Sequence, residues 1–192
     1  PLTEDIEEAK NHLDKYGMAL ISNVLSFDEI DEMDKRLNEQ FLGEEKYKVG
    51  SKIRGDEGLG VESSDEEKVS RLVWNLINKG DCFLKLIDHP KILPLIQHII
   101  GEKVCLCSMG AHMNGSGNER MALHQDQWPL VPHPMDFPFM ANVMYLISDN
   151  SPENGGTRLI PGSHKWPLID YRTANGEELS LIHISEPTRH VD

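Results

Sequence analysis

The chain has 192 residues, with 32 acidic and 19 basic side chains and a net charge of −13. That length suits one domain able to bury a sizeable core. No run approaches the ~18 apolar residues of a membrane span, and no basic stripe of the kind a duplex nucleic-acid binder presents is visible. Most of the acidic excess falls in residues 1–68, where it reads as solvated helix faces. Cys82, Cys105 and Cys107 have no disulfide-framework spacing, and Cys105-x-Cys107 is not a C-x-x-C pair. The acidic, amphipathic N-terminus is not a signal peptide, so the expected setting is cytoplasmic.

Residues 4–16 carry Ile6, Ala9 and Leu13 on one stripe and predict an amphipathic helix that Gly17 stops. Met18 to Leu25 is apolar and β-prone, a candidate strand. Ser26-Phe-Asp-Glu29 is a capping box opening a second helix to about Phe41. Residues 43–66 are charged and Gly-dotted, and predict a loop or lid that includes the basic run Lys46, Lys48, Lys52 and Arg54. A third helix is expected from about Glu66 to Asn78, and a fourth after Pro90 to Gly101.

Beyond Gly101 the pattern changes. Val104–Met113, Arg120–Trp128, Phe139–Ser148 and Thr157–Ile160 are short β-prone segments parted by Gly, Asn and Pro turns. Helices followed by strands predict an α+β chain whose second half is an antiparallel sandwich or barrel.

The triplet His124-Gln125-Asp126 is the most informative chemistry. On a strand, residues two apart share a face. An imidazole and a carboxylate placed so are half of a metal site. A second His from another strand would complete a facial triad, which leaves coordination positions open for a co-substrate and dioxygen. By itself H-x-D is a common pattern, equally compatible with a surface pair. Trp128 reads either as a pocket wall or as a core aromatic. His112 and His133 read as a strand and a loop side chain, and His12, His89 and His98 receive no role.

The surrounding motifs sharpen this reading. The chain resembles the phytanoyl-CoA dioxygenase family of Fe(II)- and 2-oxoglutarate-dependent oxygenases. The resemblance rests on Tyr16-Gly-Met-Ala-Leu-Ile-Ser-Asn-Val-Leu25, on Leu-His124-Gln-Asp126-Gln, and on Asp149-Asn-Ser-Pro-Glu-Asn-Gly-Gly-Thr157 running into Pro161-Gly-Ser-His164. These pieces stand in the family's order over about residues 5–170.

The resemblance implies N-terminal helices packed on a double-stranded β-helix (jelly-roll) core. It implies Fe(II) and 2-oxoglutarate as cofactors, a small-molecule substrate, and oxidation of that substrate with succinate and CO₂ as co-products. His124 and Asp126 match the family's iron ligands, and Gln127 and Thr157 match polar positions near 2-oxoglutarate. Met144 falls on a wall of the substrate pocket where many relatives carry Trp or another large residue, and Trp128 is the candidate pocket residue beside the triplet. His164 matches a His that is not an iron ligand, with a structural or outer role.

The chain also departs from the family. The distal His ligand and the Arg that pairs with the far carboxylate of 2-oxoglutarate fall near or beyond the last residue. His183 is the available substitute, with Arg189 and His190 after it, but Pro187 breaks any strand joining them. Leu179-Ser-Leu-Ile-His-Ile-Ser-Glu-Pro-Thr-Arg189 is similar to the translated read-through of a sequencing adapter. Hence residues 1–178 are expected to form a single domain whose jelly roll is incomplete at its C-terminus, with 179–192 a non-native tail. Two alternatives stay open: a truncated or degenerate fragment without activity, and a zinc hydrolase on the same two ligands.

Overall fold

The first helix is set by its two ends. In the computed structural model, which describes residues 2–49, 51–54, 69–113 and 137–165, α1 runs over Ile6–Tyr16. Asp5 caps it, its carboxylate accepting from the amides of Glu7 and Glu8 at 2.7 and 3.0 Å. Gly17 ends it at φ +74°, with its N–H on the Leu13 carbonyl at 2.8 Å. The helix joins two short parallel strands, β1 (Leu2–Thr3) and β2 (Leu20–Ile21). Of the strand expected over Met18–Leu25, only these two residues are paired.

The second helix, α2, spans Phe27–Tyr47 and opens with the expected capping box. The Glu29 amide donates to Ser26 Oγ at 3.3 Å, and the Ser26 amide donates to Glu29 Oε2 at 2.8 Å. The Ser26 amide and the Ser26 hydroxyl both donate to the Glu29 carboxylate and hold it below its ordinary range. The helix outruns its expected end at Phe41. Its buried stripe continues through Met33, Leu37, Phe41 and Glu44 at helical spacing, and Gly43 does not break it. The loop expected from residue 43 therefore begins as helix, with Lys46 in its last turn and Lys48 as its left-handed C-cap. Residues 51–54 of that presumed lid are a strand, and residues 55–66 lie outside the described residues.

The helix expected over Glu66–Asn78 is overturned. Val69–Trp74 is β4, the middle of an antiparallel sheet ordered β3 (Ser51–Arg54), β4, β5 (Gly110–Met113). β-Branched and aromatic Val69, Val73 and Trp74 favour a pleated surface, and pairing on both edges supplies the ladder that local propensity does not decide. Asn75 then turns the chain at φ +56° into a 3₁₀ turn at Leu76–Asn78. A short helix not foreseen, α3 (Asp81–Leu84), carries Cys82 and Phe83 into the interior. The helix expected after Pro90 is present as α4 (Leu93–Ile100), ended by Gly101 and packed against α1.

The core lies where α2, β4 and α3 meet. Met33, Leu37, Phe41, Val73, Leu76, Cys82, Phe83 and Leu86 form one buried cluster, with Leu25, Met109, Ala111, Tyr145 and Ile147 packed on its margin. The architecture is mixed helix and sheet, as expected for an α+β chain. Among the described residues, Gly110–Met113 is the only part of the expected later strands that is paired. Phe139–Ser148 and Thr157–Ile160 enter no ladder there, and Arg120–Trp128 falls outside. Cys105 and Cys107 are exposed free thiols.

One buried carboxylate is part of this core. Glu44, 7% exposed, accepts hydrogen bonds from Lys79 Nζ and from Gln40 Nε2. Burial alone would raise its carboxyl; the bonds from Lys79 and Gln40 outweigh that and hold it below its ordinary value of 4.5. Its stabilising contribution is therefore complete above pH 4.5 and is lost as pH falls through the lower folded-state value. We expect Lys79→Met, which strands that carboxylate, to cost about 2 kcal/mol at pH 7. The cost should shrink below pH 4.5 as Glu44 takes a proton. Urea unfolding of the variant and the wild type at the two pH values measures it.

Candidate functional site

Most of the expected site lies outside the described residues. His124, Asp126, Gln127 and Trp128 fall in 114–136, and His183 falls in 166–192, as do Arg189 and His190. His133 is likewise outside. The described chain delivers the flanks of the H-x-D segment. It enters from β5, which ends at Met113, and description resumes at Phe137.

The segment after it is anchored by alternation. Tyr145 and Ile147 turn towards the core cluster, while Met144 and Leu146 face away and are exposed, Met144 by 56%. Met144, expected in a pocket wall, thus lies on the face opposite the core. The Tyr145 hydroxyl donates to the Leu86 carbonyl at 2.9 Å, and its ring meets His89 edge-on at 6.5 Å. Burial pushes its phenol up to about 12. This bond ties the segment carrying Met144 to the chain beyond α3.

The Asp149–Gly156 turn is built by its own side chains. Pro152–Asn154 is a single 3₁₀ turn. The Ser151 amide donates to Asn154 Oδ1 at 2.7 Å, Asn154 Nδ2 donates to the Asp149 carbonyl, and the Gly156 amide reaches the Ser151 carbonyl at 2.8 Å. Both glycines are needed. Gly155 stands at φ +81°, and a Cβ on Gly156 would meet Asn150 Oδ1 at 2.6 Å and the Ser151 carbonyl at 2.7 Å. Thr157 emerges from this turn with its side chain exposed.

The other histidines acquire structural surroundings. His112 on β5 meets Trp74 edge-on at 6.2 Å, and burial lowers its imidazole below the usual value. His12 is buried beside Tyr16, with ring centroids 5.7 Å apart. His98 of α4 donates to the Asp14 carboxylate at 2.8 Å. His164 lies against Gly17, and its Nε2 donates to the Asp14 carbonyl at 3.3 Å. Sequence reasoning gave His98 and Asp14 no role, because nothing in their local spacing marks a pair drawn from distant helices. Among the described residues no three His, Cys, Asp or Glu side chains converge on a metal position. No helix there is long and apolar enough to cross a membrane.

Compared with known families, residues 13–183 match Phytanoyl-CoA dioxygenase (PhyH). The chain belongs to that family. The PhyH family implies a jelly-roll fold, and the described residues are a mixture of helix and sheet with few strands. Dioxygenase af480 of Aspergillus fumigatus is 30% identical over 178 residues, covering 93% of this chain and 55% of the relative. A probable alpha-ketoglutarate-dependent hypophosphite dioxygenase of Stutzerimonas stutzeri is 26% identical, covering 90% of this chain and 58% of its own length. The ectoine dioxygenase of Streptomyces coelicolor is 27% identical, covering 80% of this chain and 49% of the relative. The chain spans about half the length of the curated relatives it matches. No solved structure matches it significantly.

In this PhyH chain the Tyr145 bond, with the packing of Tyr145 and Ile147, links the Met144 segment to the core. Tyr145→Phe removes the donor to the Leu86 carbonyl and is expected to cost about 1 kcal/mol. Chemical denaturation at pH 7 measures it, and unchanged stability would show that the bond carries no weight.

Proposed function

We propose that the protein is an Fe(II)- and 2-oxoglutarate-dependent dioxygenase that oxidises a small organic substrate. Membership of the PhyH family carries this reading, together with relatives named as dioxygenases, one of them as alpha-ketoglutarate-dependent. The donor set suits the metal. A neutral imidazole and a carboxylate two residues apart offer nitrogen and oxygen ligands of the kind that non-haem Fe(II) takes, with positions left for other ligands. His124 and Asp126 would hold the iron. When bound, iron and 2-oxoglutarate together supply the oxidising power, coupled to release of succinate and CO₂.

The chain's own residues supply placement. Gln127 and Thr157 would offer polar groups to 2-oxoglutarate, and Trp128 and Met144 would line the substrate side. The fixed Asp149–Gly156 turn presents Thr157 at a defined point on the chain, which suits a residue that must meet a co-substrate in one orientation. The jelly-roll core would close around these groups through strands that pair with those described. The substrate is not set by the family. The relatives named above are named for molecules as unlike as ectoine and hypophosphite, so the chemistry is shared while the pocket differs.

Losing an outer-sphere partner typically weakens a metal site 10- to 100-fold, so losing a direct ligand costs at least that. His124→Ala and Asp126→Ala are each expected to weaken Fe(II) binding about tenfold or more. Anaerobic calorimetric titration with Fe(II) measures it. Affinity equal to wild type in either variant would remove that residue from the metal site.

A further inference from the structure

The C-terminal end of α1 leaves carbonyls that no helical amide can reach. The chain fills them from a segment about 150 residues away. The Gly162 amide donates to the Tyr16 carbonyl at 2.7 Å, and His164 Nε2 donates to the Asp14 carbonyl at 3.3 Å. The loop itself is closed by the Ser163 amide on the Ile160 carbonyl at 3.1 Å and the Lys165 amide on the Gly162 carbonyl at 3.2 Å. On the same turn of α1, the Asp14 carboxylate takes the His98 imidazole of α4 at 2.8 Å. The His164 ring lies over Gly17 so closely that a Cβ there would stand 2.3 Å from Nδ1 and 2.5 Å from Cγ. Gly17 is thus required twice: for its φ of +74° and for the space the imidazole occupies.

Thr157 lies between two such seats. Upstream, Gly156 is closed against Asn150 and Ser151. Downstream, the Pro161–His164 loop is closed against α1. A four-residue stretch held at both ends has little freedom to shift, and a seated ring holds its segment more firmly than a backbone bond alone.

We propose that His164 is a positioning residue. With Gly17 and Asp14 it forms a clasp that fixes the Thr157–Ile160 segment against the end of α1, and so sets where Thr157 meets 2-oxoglutarate. The clasp stands on the described geometry; its service to the co-substrate rests on the dioxygenase reading above. Its parts also have distinct chemistry. The imidazole needs one N–H and a flat face, and glycine is the one residue that leaves room for that face.

Amide hydrogen exchange on the intact chain tests the clasp without any co-substrate. In His164→Ala the Gly162 amide is expected to exchange about tenfold faster, while the amides of α2 are unchanged. Gly17→Ala, which loses the same seat and adds left-handed strain, should speed exchange at least as much, and the double variant should be no faster than Gly17→Ala alone. His164→Gln, which keeps an N–H for the Asp14 carbonyl, should recover most of the protection. Unchanged Gly162 exchange in His164→Ala, or effects that multiply in the double variant, would overturn the clasp. Anaerobic 2-oxoglutarate titration of the iron-loaded chain then tests its purpose: about tenfold weaker binding in His164→Ala, with recovery in His164→Gln. Loss of protection with 2-oxoglutarate affinity unchanged would overturn the positioning role. If the wild-type chain takes up no 2-oxoglutarate, the dioxygenase reading fails, while the exchange data still decide the clasp.

Discussion

The apolar stripe of α2 against β4 and α3 is the contact on which the described fold depends. Met33, Leu37 and Phe41 recur at helical spacing and meet Val73, Leu76 and Phe83. Burial of aromatic and aliphatic side chains of this kind contributes about 1.5–3 kcal/mol each. That contact decides matters that local sequence leaves open. It draws α2 past Gly43, because Glu44 is the next buried position. It packs α2 against β4, the central strand of the three-stranded sheet. Tyr145 and Ile147 reach the same cluster from the far half of the chain, so the segment flanking the expected metal ligands hangs from it as well.

Short-range signals were legible in the sequence because their physics is local. The Ser26–Glu29 box, Gly17 and Gly101 satisfy backbone groups within a few residues of themselves, and each stands where its chemistry required. The residues 66–78 were misread as helix for the opposite reason. Val69, Val73 and Trp74 suit a strand, but the deciding term is a ladder with partners near residues 52 and 112, which no short window contains. α3 is four residues long and offered no period to read. The clasp was illegible too. Gly17 looked like an ordinary helix stop and His164 like the end of a turn, and their contact exists only in the folded chain.

The candidate site was legible in the sequence as chemistry, while its ligand residues lie outside the described structure. His124-x-Asp126 is a donor pattern, and the Gly-Gly-Thr and Pro-Gly-Ser-His runs gave it context that the family match then bore out. The described structure explains why those runs are built as they are. Gly155 and Gly156 are demanded by the Asp149–Gly156 turn, and Gly162 and His164 by the end of α1. The two motifs bracket Thr157. Each holds one end of the short Thr157–Ile160 segment in place, as the proposed co-substrate role of Thr157 requires.

The most direct test of the dioxygenase reading is an anaerobic titration of the wild-type chain with Fe(II) and then 2-oxoglutarate, followed by visible absorption. A weak charge-transfer band that grows and saturates with 2-oxoglutarate is the result this account predicts. A folded chain that develops no band at saturating Fe(II) and 2-oxoglutarate would contradict it.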